Sequence, residues 1–290
     1  MENEKLKTVQ IDTDNIDGDP HGKNEAPEVT PEEEQNVRIL VSELREPIRK
    51  MLEPIMENIK DGGYQLLIGD DASGRIPTLI VRAIINSIYA RNGRSQIPTR
   101  FIAGTRGYEV RGGYFNKKKA KVLRYIQDFL ASAPDTRNAL IVTDTIASGR
   151  SLQPTADSLE ECGISYDIVT VGSLLDDKEK LALFSGPIFS GQHGAPSVYS
   201  SRGISGVQKR VEDLHATPLM GHLPSEDSAH AQKIINLARE EGRRVAKEIL
   251  ADYSVNAEDT IPSRNDFVDD EGDVNDWRLL EENKRLAAWQ

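Results

Sequence analysis

The chain is poor in cysteine and has no long apolar run. Cys162 is the one cysteine among 290 residues, so an internal disulfide is excluded. No apolar stretch reaches the roughly 18 residues that a membrane-spanning helix requires. The acidic amino terminus also lacks the apolar core of a secretory signal. These absences predict a soluble cytoplasmic protein without a membrane partner.

A surplus of positive charge is missing as well. The formal net charge is −11, and the acidic residues are concentrated at the two ends. Residues 1–34 carry 11 acids and 3 bases, and residues 253–290 carry 10 acids and 4 bases. The segment between them has 26 acids and 29 bases. A nucleic-acid-binding domain should show a clear basic excess, so we predict no nucleic-acid partner.

Charge and hydrophobic periodicity together divide the chain into three parts. Residues 1–29 are acidic and aperiodic, which predicts a disordered tail. Residues 30–253 contain periodic apolar segments and form the predicted globular domain. Residues 254–290 are predicted to be an acidic linker that ends in a short helix.

Strand-like and helix-like segments alternate within the globular part. This alternation predicts parallel strands joined by helical crossovers, and hence an α/β fold with a mainly parallel twisted sheet flanked by helices. The long helix after residue 227 would be a helical C-terminal extension. A segment rich in glycine, proline and serine, 184–224, is predicted as loop with a short strand at 187–189. The predicted strands are 64–68, 100–103, 140–142 and 168–174, and the helices are 75–89, 117–131, 151–162 and 228–253, after a proline-interrupted helical stripe over 31–59.

One segment carries the strongest chemical signal. Residues 139–152, ALIVTDTIASGRSL, run from an apolar strand through Asp144 into a loop of small and hydroxylated residues, and a helix follows. Loop N–H groups, hydroxyls and a helix start suit a phosphate, whereas the adjacent carboxylate suits the diol of a sugar. The segment therefore predicts a site for a ribose phosphate.

A second segment repeats this arrangement. Residues 66–75, LLIGDDASGR, also run from a strand through an acid into Ala-Ser-Gly-Arg and a helix. Good helix capping alone would explain a single Ser-Gly pair, but two copies with arginine in the same place favour two phosphate loops. Ligands of α/β sheets gather at the carboxyl ends of strands, so we predict both loops at one edge of one sheet.

Residues 139–152 resemble the phosphoribosyl pyrophosphate signature of the type I phosphoribosyltransferases. The resemblance covers about residues 64–175 and implies that fold, with a variable hood for which 184–224 is the candidate. By position, Asp144 is a catalytic residue that would hold the ribose hydroxyls. Thr143 stands in the ribose-binding position where the family has the first of two acids. The residues that would wrap the 5′-phosphate are Thr145, Ala147, Ser148, Gly149, Arg150 and Ser151.

The resemblance also assigns roles to two further loops. The loop after the second core strand would close over the substrate, and Arg106 in it would stabilise charge on the leaving pyrophosphate. Mg²⁺ would be bound mainly through the substrate, and no metal ligands are predicted in the chain itself. Phosphoribosyltransferases of this type often dimerise, so a homodimer is compatible with the resemblance. The residues that would bind pyrophosphate, after the first core strand, are Asp70, Asp71, Ser73, Gly74 and Arg75.

Two functions follow from the resemblance. The first is transfer of the phosphoribosyl group from phosphoribosyl pyrophosphate, or a related ribose phosphate, to an unidentified acceptor such as a nucleobase, with release of pyrophosphate. The second is a non-catalytic sensor or regulator with the same fold. Thr143 in place of an acid favours the second function, and so do the acidic tails, which could be interaction segments.

Other chemistries fit the sequence less well. Arg75 and Ile76 stand where a P-loop kinase has lysine and Ser/Thr. The nucleophile elbow of a Ser-His-Asp hydrolase is absent. The histidines in 184–224 are too widely spaced for a zinc site. The basic run 117–119 is predicted to lie on an exposed helix face.

Overall fold

A computed structural model describes the chain at residues 29–71, 74–103, 113–176, 178, 183–196, 209–212, 215–218 and 225–253. The predictions for the two acidic ends therefore lie outside the described residues, apart from the start of the first helix. No helix in the described part of the chain combines the length and the apolar character needed to cross a bilayer.

Helices and strands alternate along the chain, as the periodicity predicts. The strands are β1 (Leu66–Asp71), β2 (Thr99–Ala103), β3 (Asn138–Ile146), β4 (Ser165–Ser173), β5 (Ile188–His193), β6 (Lys209–Glu212) and β7 (His215–Pro218). The helices are α1 (Pro31–Ser42), α2 (Arg45–Leu52), α3 (Met56–Lys60), α4 (Arg75–Arg91), α5 (Gly113–Ser132), α6 (Gln153–Glu161) and α7 (Ser225–Asp252), with a 3₁₀ turn at Glu53–Ile55.

Five strands form one parallel sheet in the order β2-β1-β3-β4-β5. The predicted α/β class with a parallel sheet flanked by helices is therefore confirmed. After β1 the chain crosses to β2 on one side, and it then returns to β3 on the other side of β1. In doubly wound sheets, ligands bind at the carboxyl ends of the strands that flank such a switch point. The topology thus makes the ends of β1 and β3 the expected ligand-binding position.

The two faces of the sheet carry separate apolar cores. Leu67 and Val142 belong to one core, which α1, α2, α4 and α7 cover. Ile68 and Ile141 belong to the other core, which α5 and α6 cover. Residues adjacent along a strand point to opposite faces, so Leu67 and its neighbour Ile68 belong to different cores, and so do Ile141 and Val142. The result is a sheet between two helical layers.

The amino-terminal helical stripe begins and breaks where its sequence indicates. Thr30 caps α1: its Oγ1 accepts from the Glu33 N–H at 3.2 Å, and its own N–H donates to Glu33 Oε2 at 2.9 Å. Pro47 lies in the first turn of α2, and Pro54 lies in the 3₁₀ turn. Proline cannot donate to the preceding turn, which explains why the predicted stripe is divided into short helices.

The segment 184–224 contains more regular structure than the sequence indicates. The short strand expected at 187–189 is confirmed and continues to His193 as β5, an edge strand of the main sheet. The antiparallel hairpin of β6 and β7 was predicted as loop, and it lies beside β2 at the opposite edge. The described parts of the candidate hood are therefore found at both ends of the sheet.

A buried carboxylate joins α1 to α7. Glu241 is only 1% exposed. It accepts from Arg38 Nη1 on α1 at 3.2 Å and from Arg244 Nε at 2.8 Å. A buried carboxylate is tolerated when cations bond to it, so these arginines account for an acid inside the helical layer.

Glu241→Gln should lower the free energy of unfolding by about 1–2 kcal/mol, because it removes charge-assisted bonds. The expected loss is small for a buried carboxylate because the side chains of its partners Arg38 and Arg244 are 38% and 49% exposed, so water screens their charge. Urea unfolding at low and high salt measures the change. Glu240→Gln, at an exposed neighbour, is the control, and an equal effect of both substitutions would contradict the prediction.

Candidate functional site

Strands β1 and β3 extend further toward their carboxyl ends than the sequence indicates. Asp70 and Asp71 were predicted in a loop, but they align with Ile102 and Ala103 of β2. The third predicted strand covers 140–142, with the phosphate loop starting at Thr145, whereas β3 continues to Ile146 along β4. Gly-Asp-Asp has weak local strand preference, and the neighbouring strands supply the backbone partners that extend it. The candidate acids therefore stand on a rigid sheet edge.

Two carboxylates from different strands approach one hydroxyl group. The Oγ1 of Thr143 donates to Asp70 Oδ2 at 2.9 Å and lies 3.4 Å from Asp144 Oδ1. Thr143 is fully buried, and Asp144 is 9% exposed. A hydroxyl has one proton, and the shorter distance favours Asp70 as its acceptor. Thr143 thus holds the end of β1 against the end of β3.

Gly74 brings the end of the first loop close to β3. A Cβ atom at this position would lie 2.5 Å from the Asp70 carbonyl oxygen and 3.3 Å from the Thr143 Cα. Glycine is therefore required for this close approach of backbone segments. Gly74 therefore lies against Thr143 of β3, and the parallel pairing of β1 with β3 places their carboxyl ends at one edge of the sheet.

Arg75 occupies a buried position at the start of α4. It is 7% exposed, and its Cζ lies 4.6 Å from the centroid of the Phe101 ring on β2, a cation–π geometry. A Cβ at Gly69 would come within 2.7 Å of the same ring, so this glycine makes room for Phe101. Neither Gly69 nor Phe101 is predicted as a site residue from the sequence. A glycine inside a strand is a signal of close approach and could have indicated them.

The loop between β3 and α6 combines exposed and anchored residues. Gly149 has φ +69°, and a Cβ there would lie 2.9 Å from the Phe184 ring, so a left-handed glycine anchors the loop. Leu152 donates to the Gly149 carbonyl at 3.1 Å, which closes the turn. Thr145 Oγ1 is buried and has no hydrogen-bond partner among the described residues. Ala147, Ser148 and Arg150 are exposed, and Ser151 is half-buried.

Several predicted site residues lie outside the part of the chain that the structure describes. Ser73 and the loop 104–112, which contains Arg106, are not among the described residues. Asp71 is described only by its backbone. Their proposed roles therefore stay predictions.

One of the three lysines predicted on an exposed face is buried. Lys118 is 5% exposed, whereas Lys117 is exposed. Lys118 precedes the core residues Val122 and Ile126 by one and two turns, so it shares their side of α5. The prediction for Lys118 was wrong because it treated the three lysines alike, whereas the spacing to Val122 and Ile126 places Lys118 alone on the apolar side of α5.

A cavity of about 460 Å³ lies at the opposite, amino edge of the sheet. Its main polar group is Glu160, which accepts from Ser185 Oγ at 2.6 Å and from Tyr166 Oη at 2.8 Å. These two bonds hold the pKa of Glu160 below its usual range. The carboxylate and the two hydroxyls already bond to one another, and the cavity lies away from the strand ends where ligands of α/β sheets bind. We therefore do not assign the chemistry to it.

Among the residues that the structure describes, no group of three or more His, Cys, Asp or Glu side chains is arranged to hold a metal ion. No family model matches the chain, and neither the curated proteins nor the solved structures give a significant match. The function is therefore inferred from the residues at the ends of β1 and β3.

Proposed function

We propose that the protein binds phosphoribosyl pyrophosphate at the ends of β1 and β3 and transfers its phosphoribosyl group to an acceptor, releasing pyrophosphate. The fold proposed with this activity is that of the type I phosphoribosyltransferases. The observation that carries the proposal is the convergence of Asp70 and Asp144 on the Thr143 hydroxyl, at the switch point of a parallel sheet. A hydroxyl-rich loop follows directly, as a ribose phosphate requires.

Asp70 compensates in this proposal for the acid that Thr143 replaces. The resembling family has two adjacent acids at the end of the third core strand, whereas this chain has Thr143 and Asp144. The Asp70 carboxylate from β1 lies 2.9 Å from the Thr143 hydroxyl, so a second carboxylate is still present beside Asp144. The pair that binds the ribose diol would then come from two strands instead of one.

The donor set also fits Mg²⁺ bound together with the substrate. Mg²⁺ prefers oxygen ligands, and in nucleotide sites it commonly takes one or two carboxylates with substrate phosphates. Asp70 and Asp144 supply such oxygens at one edge. When bound, the ion would neutralise charge on the pyrophosphate.

The remaining residues would position the substrate and stabilise charge. The loop 147–151, which is exposed at Ala147, Ser148 and Arg150, would hold the 5′-phosphate through N–H groups and hydroxyls. Arg75, supported by Phe101, and Arg106 would face the pyrophosphate, since guanidinium groups bind phosphate oxygens in a bidentate way. A loose, oxocarbenium-like displacement needs mainly such positioning and charge stabilisation.

Asp144→Asn should weaken binding of phosphoribosyl pyrophosphate by roughly 10- to 100-fold, the value of hydrogen bonds to a charged group. Titration calorimetry with Mg²⁺ measures this loss, and Asp70→Asn should give a similar one. Asp128→Asn, at an exposed position on α5, is the matched control and should bind like the wild type.

The same titration, combined with an assay of pyrophosphate release, separates the two candidate functions. Binding followed by pyrophosphate release with at least one nucleobase supports the transferase. The second candidate, a non-catalytic sensor, is favoured by Thr143, and binding without release across a nucleobase panel would select it. An absence of wild-type binding would overturn both.

A further inference from the structure

On the face of the sheet that α5 and α6 cover, the side chains change from apolar to polar toward the carboxyl edge. Ile68 and Ile141 lie in the apolar core of this face. Two residues further along the same strands, and therefore on the same face, are Asp70 and Thr143. These two side chains are hydrogen-bonded to each other. The layer nearest the carboxyl edge is thus the layer of the candidate site.

The facing helix changes from apolar to charged in the same direction. Phe129, Ile126 and Val122 of α5 belong to the same core, and Lys118 continues their stripe toward the start of the helix. Helix α5 follows β2, whose last residue is at the carboxyl edge, so the start of α5 lies toward that edge. Lys118 is 5% exposed. It lies one helical turn beyond the core residue Val122 toward the carboxyl edge, just as Asp70 lies two residues beyond the core residue Ile68 on β1.

The orientation of α5 at this point is set by its neighbour. Lys119 pairs with Glu161 at 2.5 Å and with Asp157 at 3.5 Å, both on α6. The Ser158 hydroxyl of α6 also lies 3.4 Å from the Lys119 carbonyl oxygen. Because Lys119 is held on the α6 side, Lys118 is directed, 100° around the helix, into the layer between α5 and the sheet.

A cation on the α5 side of this edge would stabilise a bound pyrophosphate. Asp70 and Asp144 are two acids at the edge where a pyrophosphate would add further negative charge. A buried ammonium group is itself stable only close to anions. Arg75 lies on the other face of β1, over Phe101, so Lys118 and Arg75 flank the end of β1 from the two helical layers.

We propose that Lys118 is a phosphate-binding residue of the site at the ends of β1 and β3, where it holds the pyrophosphate group on the α5 side. This inference rests on the proposed function, which supplies the ligand. The sequence resemblance assigned no role to this lysine.

Lys118→Met tests the inference because methionine keeps most of the length of the side chain and removes the charge. Titration calorimetry with phosphoribosyl pyrophosphate, and with inorganic pyrophosphate, in the presence of Mg²⁺ should show affinity lowered roughly 10- to 100-fold. Lys118→Arg should retain part of the affinity. Lys117→Met, at the exposed neighbouring position, should leave it unchanged, and thermal unfolding of each variant checks folding.

A measurement on the wild-type protein covers the case in which Lys118→Met does not fold. With ¹⁵N-labelled lysine, the ammonium signal of Lys118, assigned through Lys118→Arg, should shift when magnesium pyrophosphate is added. A folded Lys118→Met protein with wild-type affinity, or an unmoved ammonium signal at saturation, would overturn the role of Lys118 and leave the proposed function intact. Loss of all wild-type binding would overturn both.

Discussion

Thr143→Asp should lower the free energy of unfolding at neutral pH by about 3–5 kcal/mol, the cost of an uncompensated buried charge. The site is fully buried, and the present hydroxyl donates to Asp70. A carboxylate there would face the acceptor oxygen of Asp70 without a proton between them. Urea unfolding at neutral pH measures the loss. Thr143→Asn, which has nearly the same shape without the charge, is the matched control and should cost less.

The pH dependence of this variant distinguishes charge repulsion from poor packing. Two carboxylates that share a site raise the pKa of one of them. A carboxyl group whose pKa is higher in the folded state than in the unfolded state loses stability as pH rises through that pKa. The variant should therefore recover relative to the wild type as the pH is lowered to about 5. A deficit that is constant with pH would indicate packing instead.

The same variant tests the compensating role of Asp70. If Asp70 already supplies the second carboxylate, Thr143→Asp should produce no gain in pyrophosphate release with any nucleobase. A gain in turnover would show that the missing acid at 143 limits catalysis, and it would contradict the arrangement proposed for Asp70 and Asp144.

Gly74→Ala should lower the free energy of unfolding by about 3 kcal/mol, at the upper end of the range for overpacking. The added methyl group would meet the Asp70 carbonyl oxygen at 2.5 Å and the Thr143 Cα at 3.3 Å. Both are backbone atoms, so no side-chain rotation relieves the contact. Because the ends of β1 and β3 must separate, binding of phosphoribosyl pyrophosphate should weaken together with stability. Chemical unfolding and titration calorimetry measure the two effects.

Gly242→Ala is a suitable control for the loss at Gly74. Gly242 lies inside α7, and its added methyl group would meet only the Ile76 and Ile80 side chains, at 3.3 Å or more. Alanine in a helix gains about 1 kcal/mol over glycine, which offsets a small adjustment of those side chains. This variant should remain within about 1 kcal/mol of the wild type. A similar loss at both positions would refute a specific contact at Gly74.

The fold could be predicted where the periodicity is strong and local. The alternation of β1 to β4 with α4 to α6 was evident from the sequence. The strand ends were placed too early because Asp70 and Thr143 are extended by pairing with distant strands. Local propensity does not contain that contribution.

The site could be predicted in part for a related reason. The acids and the loop glycines were identified from their spacing, but the bond between Thr143 and Asp70 depends on β3 lying beside β1. Strand order is a property of the whole sheet. The buried position of Lys118 likewise depends on which side of α5 packs against the sheet, which a run of three lysines does not indicate.

The separation of Thr143 and Asp70 by 73 residues has a consequence for folding. Strand β2 and two helices lie between the partners along the chain, so the bond forms only after a long loop has closed. Contacts of such high sequence separation are characteristic of slow-folding topologies. The candidate site is therefore complete only after β3 has paired with β1. A nascent chain that ends before β3 would carry Asp70 with no hydroxyl beside it, and the ligand would stabilise only the chain in which β1 and β3 have joined.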